Sequence, residues 1–190
     1  RSTPLHWRQI TRYSGFNILN LGILHETALR WTPAPVQVLA RAAITIPIRR
    51  DPETGGKTQV GIPDTVQVLT THEDESIGIY RLSGVVRHNF GTSIELYGSR
   101  GTILYDLERD VIRMARVGQS LQTVAIPESE RGGWRVEEEF VAAIRGEEVV
   151  SRTDFLTGAR TMQFTEAVAR SSRSQGPINL PLREFSSPDD

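Results

Sequence analysis

Apolar side chains recur at Ile18, Leu21, Leu24, Ala28 and Trp31, with Leu29 beside them. This spacing predicts a helix over 17–31 carrying one continuous apolar stripe. Gly22 lies inside the pattern, where glycine costs about 1 kcal/mol relative to alanine; a close approach to its backbone is expected there. Pro33 and Pro35 stop the helix. Over 36–50 the pattern changes, and the alternation of Ile44, Ile46 and Ile48 predicts a strand with an edge or bulge at Pro47. A polar turn follows at 51–58. Short apolar runs between tight turns then predict strands at 65–71, 77–88, 92–97, 102–105 and 111–117, and a brief one at 124–126. Connections this short make neighbouring strands antiparallel.

Helical periodicity returns over 134–145, with Val136, Phe140, Val141 and Ile144 on one face. Glu137, Glu138 and Glu139 face water, and Gly146 ends the helix. A last helix is expected from a cap at Thr153 or Asp154 to about Arg173. Its predicted buried positions include Leu156, Ala159, Met162, Ala167 and Val168. Residues 176–181 read as a short closing strand, and 184–190 as a frayed polar tail. The fold expected is α+β: a large, mostly antiparallel, open-faced sheet with helices packed on one face, in a single domain over 1–190.

Composition narrows the chemistry. The net charge is −1, which argues against nucleic acid or an anionic membrane as the main partner. Cysteine is absent, which removes disulfides, thiolate nucleophiles and Cys-based zinc sites. No apolar run approaches the ~20 residues that span a bilayer; no membrane association is expected, and a cytoplasmic setting is. Lys57 is the only lysine, so a catalytic lysine is Lys57 or comes from outside the chain. Gly-Lys-Thr at 56–58 has part of a phosphate loop, but the position needing the first glycine is Asp51. No strand–helix context surrounds it, and the match is rejected.

Three stretches carry a family resemblance. Asn20-Leu-Gly22-Ile-Leu24, closed by Leu29-Arg30-Trp31, resembles the helix of the C-terminal domain of the Gfo/Idh/MocA oxidoreductases, where the pattern is Asp-x-Gly-x-His followed by Asp and often Arg-Trp. Tyr97-Gly98-Ser-Arg-Gly101 resembles a frequent hairpin of that domain. Phe140-Val-Ala-Ala-Ile-Arg-Gly, Asp154, Ala167, Ser171-Ser172 and Gly176 follow its C-terminal order. Together they cover most of 7–182.

The resemblance implies a glyceraldehyde-3-phosphate dehydrogenase-like C-terminal domain that binds substrate and forms oligomers. The parent would be an enzyme transferring hydride between NAD or NADP and a sugar, cyclitol or related polyol. Its catalytic positions fall on Asn20 and Leu24, neither of which carries the usual proton-transfer group. His25, one residue on, is the candidate displaced acid–base group; its plain reading is a half-exposed helix histidine beside Glu26. Trp7, Arg8, Arg12, Tyr13 and Asn17 are the expected substrate-binding residues. His72 and His88 read as surface residues at strand ends, and no histidine–carboxylate spacing matches a metal site.

No Gly-x-Gly-x-x-Gly and no Glu-Lys-Pro occurs. An N-terminal dinucleotide-binding domain is therefore expected as the missing partner, and no tight NAD(P) binding by this chain alone. A homodimer or homotetramer through the open sheet face is implied as well. The rival expectation is a non-catalytic carbohydrate- or protein-binding module on the same fold.

Overall fold

Alternating small and branched residues after Pro33 build the strand that organises the first part of the chain. The computed structural model describes residues 3–89, 91–150 and 154–185. Two compact units emerge, one drawn from Arg1–Val86 and Thr153–Asp190, the other from Arg87–Arg152. The first contains, in chain order, the single turn α1 (Thr11–Ser14), α2 (Leu21–Ala28), β1 (Pro35–Ala43), β2 (Ile48–Arg50), β3 (Lys57–Gln59), β4 (Thr65–His72) and β5 (Ile77–Ser83). The second contributes β6 (Ser93–Gly98), β7 (Gly101–Asp106), β8 (Val111–Arg116), β9 (Gln122–Thr123) and α3 (Val136–Arg145). The first unit resumes with α4 (Phe155–Ser174) and β10 (Ile178–Asn179).

The main sheet of the first unit has the order β10-β1-β4-β5, antiparallel throughout. Its register sets Ala40 opposite Val68 and Val68 opposite Tyr80, with Ala42, Val66 and Leu82 in the next inward row. This inner face meets Phe164, Ala167 and Val168 of α4 and Leu21 of α2, joined by Ile18, Ile62 and Leu182. Full burial of each large apolar side chain contributes roughly 1.5–3 kcal/mol. Strict alternation along β4 puts Val66, Val68, Thr70 and His72 inside and Gln67, Leu69 and Thr71 outside.

β10 pairs with only Gln37 and Val38 of β1. Further along that edge, α4 supplies the acceptors: Ala40 N donates to Ser171 Oγ at 2.8 Å and Ala42 N to Ser172 Oγ at 3.0 Å. Two helix hydroxyls thus satisfy backbone donors that a longer strand would otherwise take.

Several predicted elements differ in extent. The helix over 17–31 is shorter, because Leu19 adopts φ 55 and the helical run begins only at Leu21. Trp31, beyond its end, is exposed. The strand over 36–50 breaks after Ala43. There Thr45 N and Ile46 N turn to the two carboxylate oxygens of Asp64, each at 2.9 Å. The break reverses the face: Ile44 and Ile48 are exposed while Arg49 is buried. β2 and β3 form a separate ribbon with the 51–58 turn at its tip, and Lys57 is exposed on it. β5 ends at Ser83, where Gly84 N donates to Asp64 O.

His72 is buried, not at the surface, because it falls on the inward row of β4; its Nδ1 lies 2.8 Å from Pro33 O. Leu156, Ala159 and Met162 are exposed, and burial on α4 starts at Thr161, where the helix meets β1 and α2. Of the two cap candidates, Asp154 accepts from Thr157 N at 2.7 Å, and Thr153 lies outside the described residues. Arg183–Phe185 form a 3-10 turn, and the remainder of the expected tail lies outside the described residues.

The second unit is an antiparallel sheet of order β6-β7-β8-β9 together with α3. The β6–β7 hairpin turns at Gly98–Gly101, where Gly101 has φ 156 and a Cβ would collide with Ala115 O. The expected strand at 124–126 is displaced to Gln122–Thr123, with only Val124 N still bonded to Ile112 O. Phe140, Val136 and Ile144 share one face of α3 and remain exposed.

Removing the Asp64 carboxylate leaves the Thr45 and Ile46 amides without their acceptors. Asp64→Ala is expected to cost about 2 kcal/mol, read from urea unfolding. A change below about 0.5 kcal/mol would mean the corner does not depend on that carboxylate.

Candidate functional site

The residues expected to touch substrate lie on the approach to α2. Trp7 and Arg8 sit on a 3-10 turn at Trp7–Gln9, closed by a reciprocal cap: Arg8 N donates to His6 Nδ1, and His6 N to Gln9 Oε1. The Arg8 guanidinium lies 4.1 Å from the Trp7 ring centre. Arg12 and Tyr13, on α1, are stacked less closely at 5.7 Å. All four are exposed. Cation–π contacts of this exposed kind contribute about 0.5–1 kcal/mol each, so they orient the arginines without holding them rigidly.

Asn17 has a structural task. Its Oδ1 accepts from Gly22 N at 3.3 Å and so fills the N-terminal donor position of α2. Asn20 occupies the formal N-cap but makes no side-chain cap bond, and its side chain is exposed. The close approach expected at Gly22 is present: a Cβ there would meet the Asn17 amide at 3.4 Å and Thr161 Cγ2 at 3.5 Å. These are ordinary contact distances. Leu24 packs against the core cluster.

His25 is the principal correction. It is 2% exposed, not half-exposed. Its Nδ1 lies 2.8 Å from Tyr80 Oη, and its ring stacks on Phe164 with centres 3.5 Å apart and planes 12° from parallel. Burial, and secondarily the charge of His72, lowers its pKa from 6.5 to about 3. Burial likewise raises the Tyr80 hydroxyl well above its usual range. His25 is thus a neutral core group inside an aromatic cluster, and this placement does not suit an acid–base residue at a pocket rim. The reason is rotational: one residue past Leu24 turns the side chain about 100°, here toward the sheet.

The first unit does contain an open cleft of ≈ 440 Å³, lined in part by Thr3, Leu5, His6, Gln9, Arg49 and Asp64. None of the expected site residues lines it; their neighbours His6, Gln9 and Leu19 do. Arg49 was hidden by the assumption that the Ile44–Ile48 alternation continues past Pro47. The signal that could have found it is that proline, since a strand break there frees the next residues to face the other way.

Among the described residues, the starts of α2, α3 and α4 are each occupied by a side-chain acceptor or acidic groups. A pyrophosphate needs free N–H groups at a helix N-terminus and a glycine-rich turn. Asn17 occupies the start of α2, Asp154 places a carboxylate at α4, and α3 opens with Glu137, Glu138 and Glu139. Among the described residues, no group of three or more potential ligands is placed to hold a metal ion. No helix there is long and apolar enough to cross a membrane.

Solved structures share this fold. Levoglucosan dehydrogenase in complex with NADH and L-sorbose superposes with a TM-score of 0.80 at 19% identity, covering 94% of this chain and 55% of that one. An NAD binding oxidoreductase from Klebsiella pneumoniae gives 0.78 at 19% identity, with 94% and 55% covered. The WlbA dehydrogenase from Bordetella pertussis, in complex with NADH and UDP-GlcNAcA, gives 0.65 at 18% identity, with 93% and 50% covered. The chain has the α+β antiparallel fold found in parts of these oxidoreductases and spans about half of their length. No protein-family model matches the chain, and no curated protein does.

The His25 pKa fixes a pH dependence. Unfolded histidine binds a proton near pH 6.5, whereas His25 in the fold resists it until about pH 3. Stability is therefore full above pH 6.5 and falls as pH drops through that window. Between pH 6.5 and 5 the loss should be roughly 2 kcal/mol, measured by denaturant titration. His25→Gln should flatten that slope; an unchanged slope would show that His25 is not its source.

Proposed function

We propose that this chain is the substrate-binding and oligomerisation domain of an NAD(P)-dependent oxidoreductase of the Gfo/Idh/MocA type. The observation that carries the reading is the fold likeness over 94% of the chain to levoglucosan dehydrogenase, at a TM-score of 0.80. The motif order from Asn20 to Gly176 supports it. Fold alone is a weak guide to activity, so the two kinds of support matter together. The cofactor would be held by the portion of the parent that this chain lacks, and that portion would supply the catalytic lysine. A sugar, cyclitol or similar polyol is the substrate class.

Within this chain, the approach to α2 is the proposed substrate-facing surface. Arg8 and Arg12 would donate to hydroxyl oxygens, with Trp7 and Tyr13 as apolar walls. Asn20, exposed at the start of α2, offers one further donor and acceptor. The outer face of the main sheet is the proposed subunit contact. Leu69 is 43% exposed, Ile77 69% and Ile79 78%, and Leu69 and Ile79 are register partners. The expected assembly is a homodimer or homotetramer. Ile79→Lys should shift it toward monomer in light scattering; a wild-type chain that stays monomeric at high concentration would sink this assignment.

A second reading has a specific observation behind it. Leu24 carries no exchangeable proton and His25 is buried in the core, so neither offers a proton to a substrate on α2. A sugar- or protein-binding module without chemistry fits that placement. The complete protein decides between the readings. Reduction of NAD or NADP with a polyol, with KM raised about tenfold in Arg8→Ala, is the expected result. Polyol binding with no turnover under either cofactor would favour the module. Restoring Asn20→Asp with Leu24→His tests whether these positions matter: unchanged turnover would mean they are not catalytic.

A further inference from the structure

Val136, Phe140 and Ile144 recur at every fourth position of α3 and so lie along one side of it. Phe140 is 58% exposed and Ile144 71%, and Trp134 and Val141 are open to solvent as well. Trp134 Nε1 donates to Glu137 Oε2 at 2.6 Å, which sets the indole at the start of the helix. Within α3 only Glu139, Ala142 and Ala143 are half-buried. Among the described residues, no other helix or strand packs along α3.

Such a helix is poorly supported by its own sequence. Isolated helices shorter than about 12–15 residues are marginal in water, and helices in proteins depend on packing an apolar face. α3 has 10 residues, and its N-cap, Arg135, makes no side-chain cap bond. The ion pairs of Arg135 with Glu138 and Glu148 are exposed, and exposed pairs contribute little. The apolar face is the main source of stability still open to α3, and it needs a cover.

Size and charge discriminate between covers. The apolar side chains of α3 and Trp134 are far fewer than the roughly 20–30 residues a side of a stable two-body interface. Contact within one polypeptide works with a smaller area, because the tether supplies an effective concentration on the order of millimolar. Charge also disfavours a second copy. The helix and its flanks carry Glu137, Glu138, Glu139, Glu147 and Glu148, outnumbering the two arginines there. Two such faces set together would oppose like charges, whereas a cover with a basic rim would not. The chain spans about half the length of the oxidoreductases whose fold it shares.

We infer, on the reading that this chain is part of a longer oxidoreductase, that the α3 face is the docking surface for the portion of the parent polypeptide outside this chain. That portion meets α3 with apolar side chains ringed by basic ones.

The experiment introduces the photo-crosslinking residue p-benzoylphenylalanine in place of Phe140 in the complete protein, and separately in place of Ile144, and maps the products by mass spectrometry. Cross-links to residues of the same polypeptide outside this chain are expected, in a product with the mass of one protomer. Amide exchange supplies a second readout that needs no cross-linking residue: Phe140→Lys should speed exchange across Val136–Arg145 about tenfold or more. A product with the mass of two protomers would overturn the proposal in favour of a second copy. Cross-links confined to this chain, no product at either position, or unchanged exchange would each overturn it too. Reduction of NAD or NADP with a polyol is measured on the same protein without the cross-linking residue. A cross-link outside the chain without turnover keeps the contact and removes the activity; turnover with cross-links confined to the chain does the reverse.

Discussion

One edge of β1 sets the terms for the first unit. Backbone pairing holds that edge from Val36 to Val38, and two serine hydroxyls from α4 take over at Ala40 and Ala42. Ser171 Oγ also donates to Gly176 O at 2.6 Å, so a single side chain ties the sheet, the helix and the return toward β10. This is a directional restraint in a region otherwise held by non-directional apolar contact. It fixes where along α4 the sheet can dock. Two turns earlier on α4, Phe164 lies against both Tyr80 and His25.

The hydrophobic pattern made most of the architecture legible. Strands β4, β7 and β8 lie close to where the pattern places them: β4 buries one face continuously, while β7 and β8 are bounded by the tight turns around them. The pattern fails where it is interrupted by groups that act through hydrogen bonds. Leu19, in a left-handed conformation, resets the start of α2, and nothing about leucine announces that. Asp64 bends the chain after β1 by offering two oxygens to successive amides, a contact between residues about twenty positions apart. Nothing local in the sequence reveals it.

The sequence marks exposed residues ahead of α2 but not how the buried groups behind them are arranged. Trp7, Arg8, Arg12 and Tyr13 are exposed on two short helical turns that lead to α2. Helical spacing could not say that His25 would be stacked on Phe164, since that depends on a partner in α4 far away in sequence. The inward turn of Arg49 follows from the strand break before it, which Pro47 signals and the Asp64 carboxylate completes.

The scarcity of lysine acquires a practical meaning once Lys57 is located. It sits exposed on the β2–β3 ribbon, and every other basic side chain outside the histidines is arginine. Amine-directed reagents would therefore find one side chain, besides the terminal amino group. A fluorophore or a surface tether attached there would leave α2, the outer sheet face and the guanidinium of Arg49 chemically untouched, so that ligand and subunit contacts could be followed on a uniformly oriented molecule.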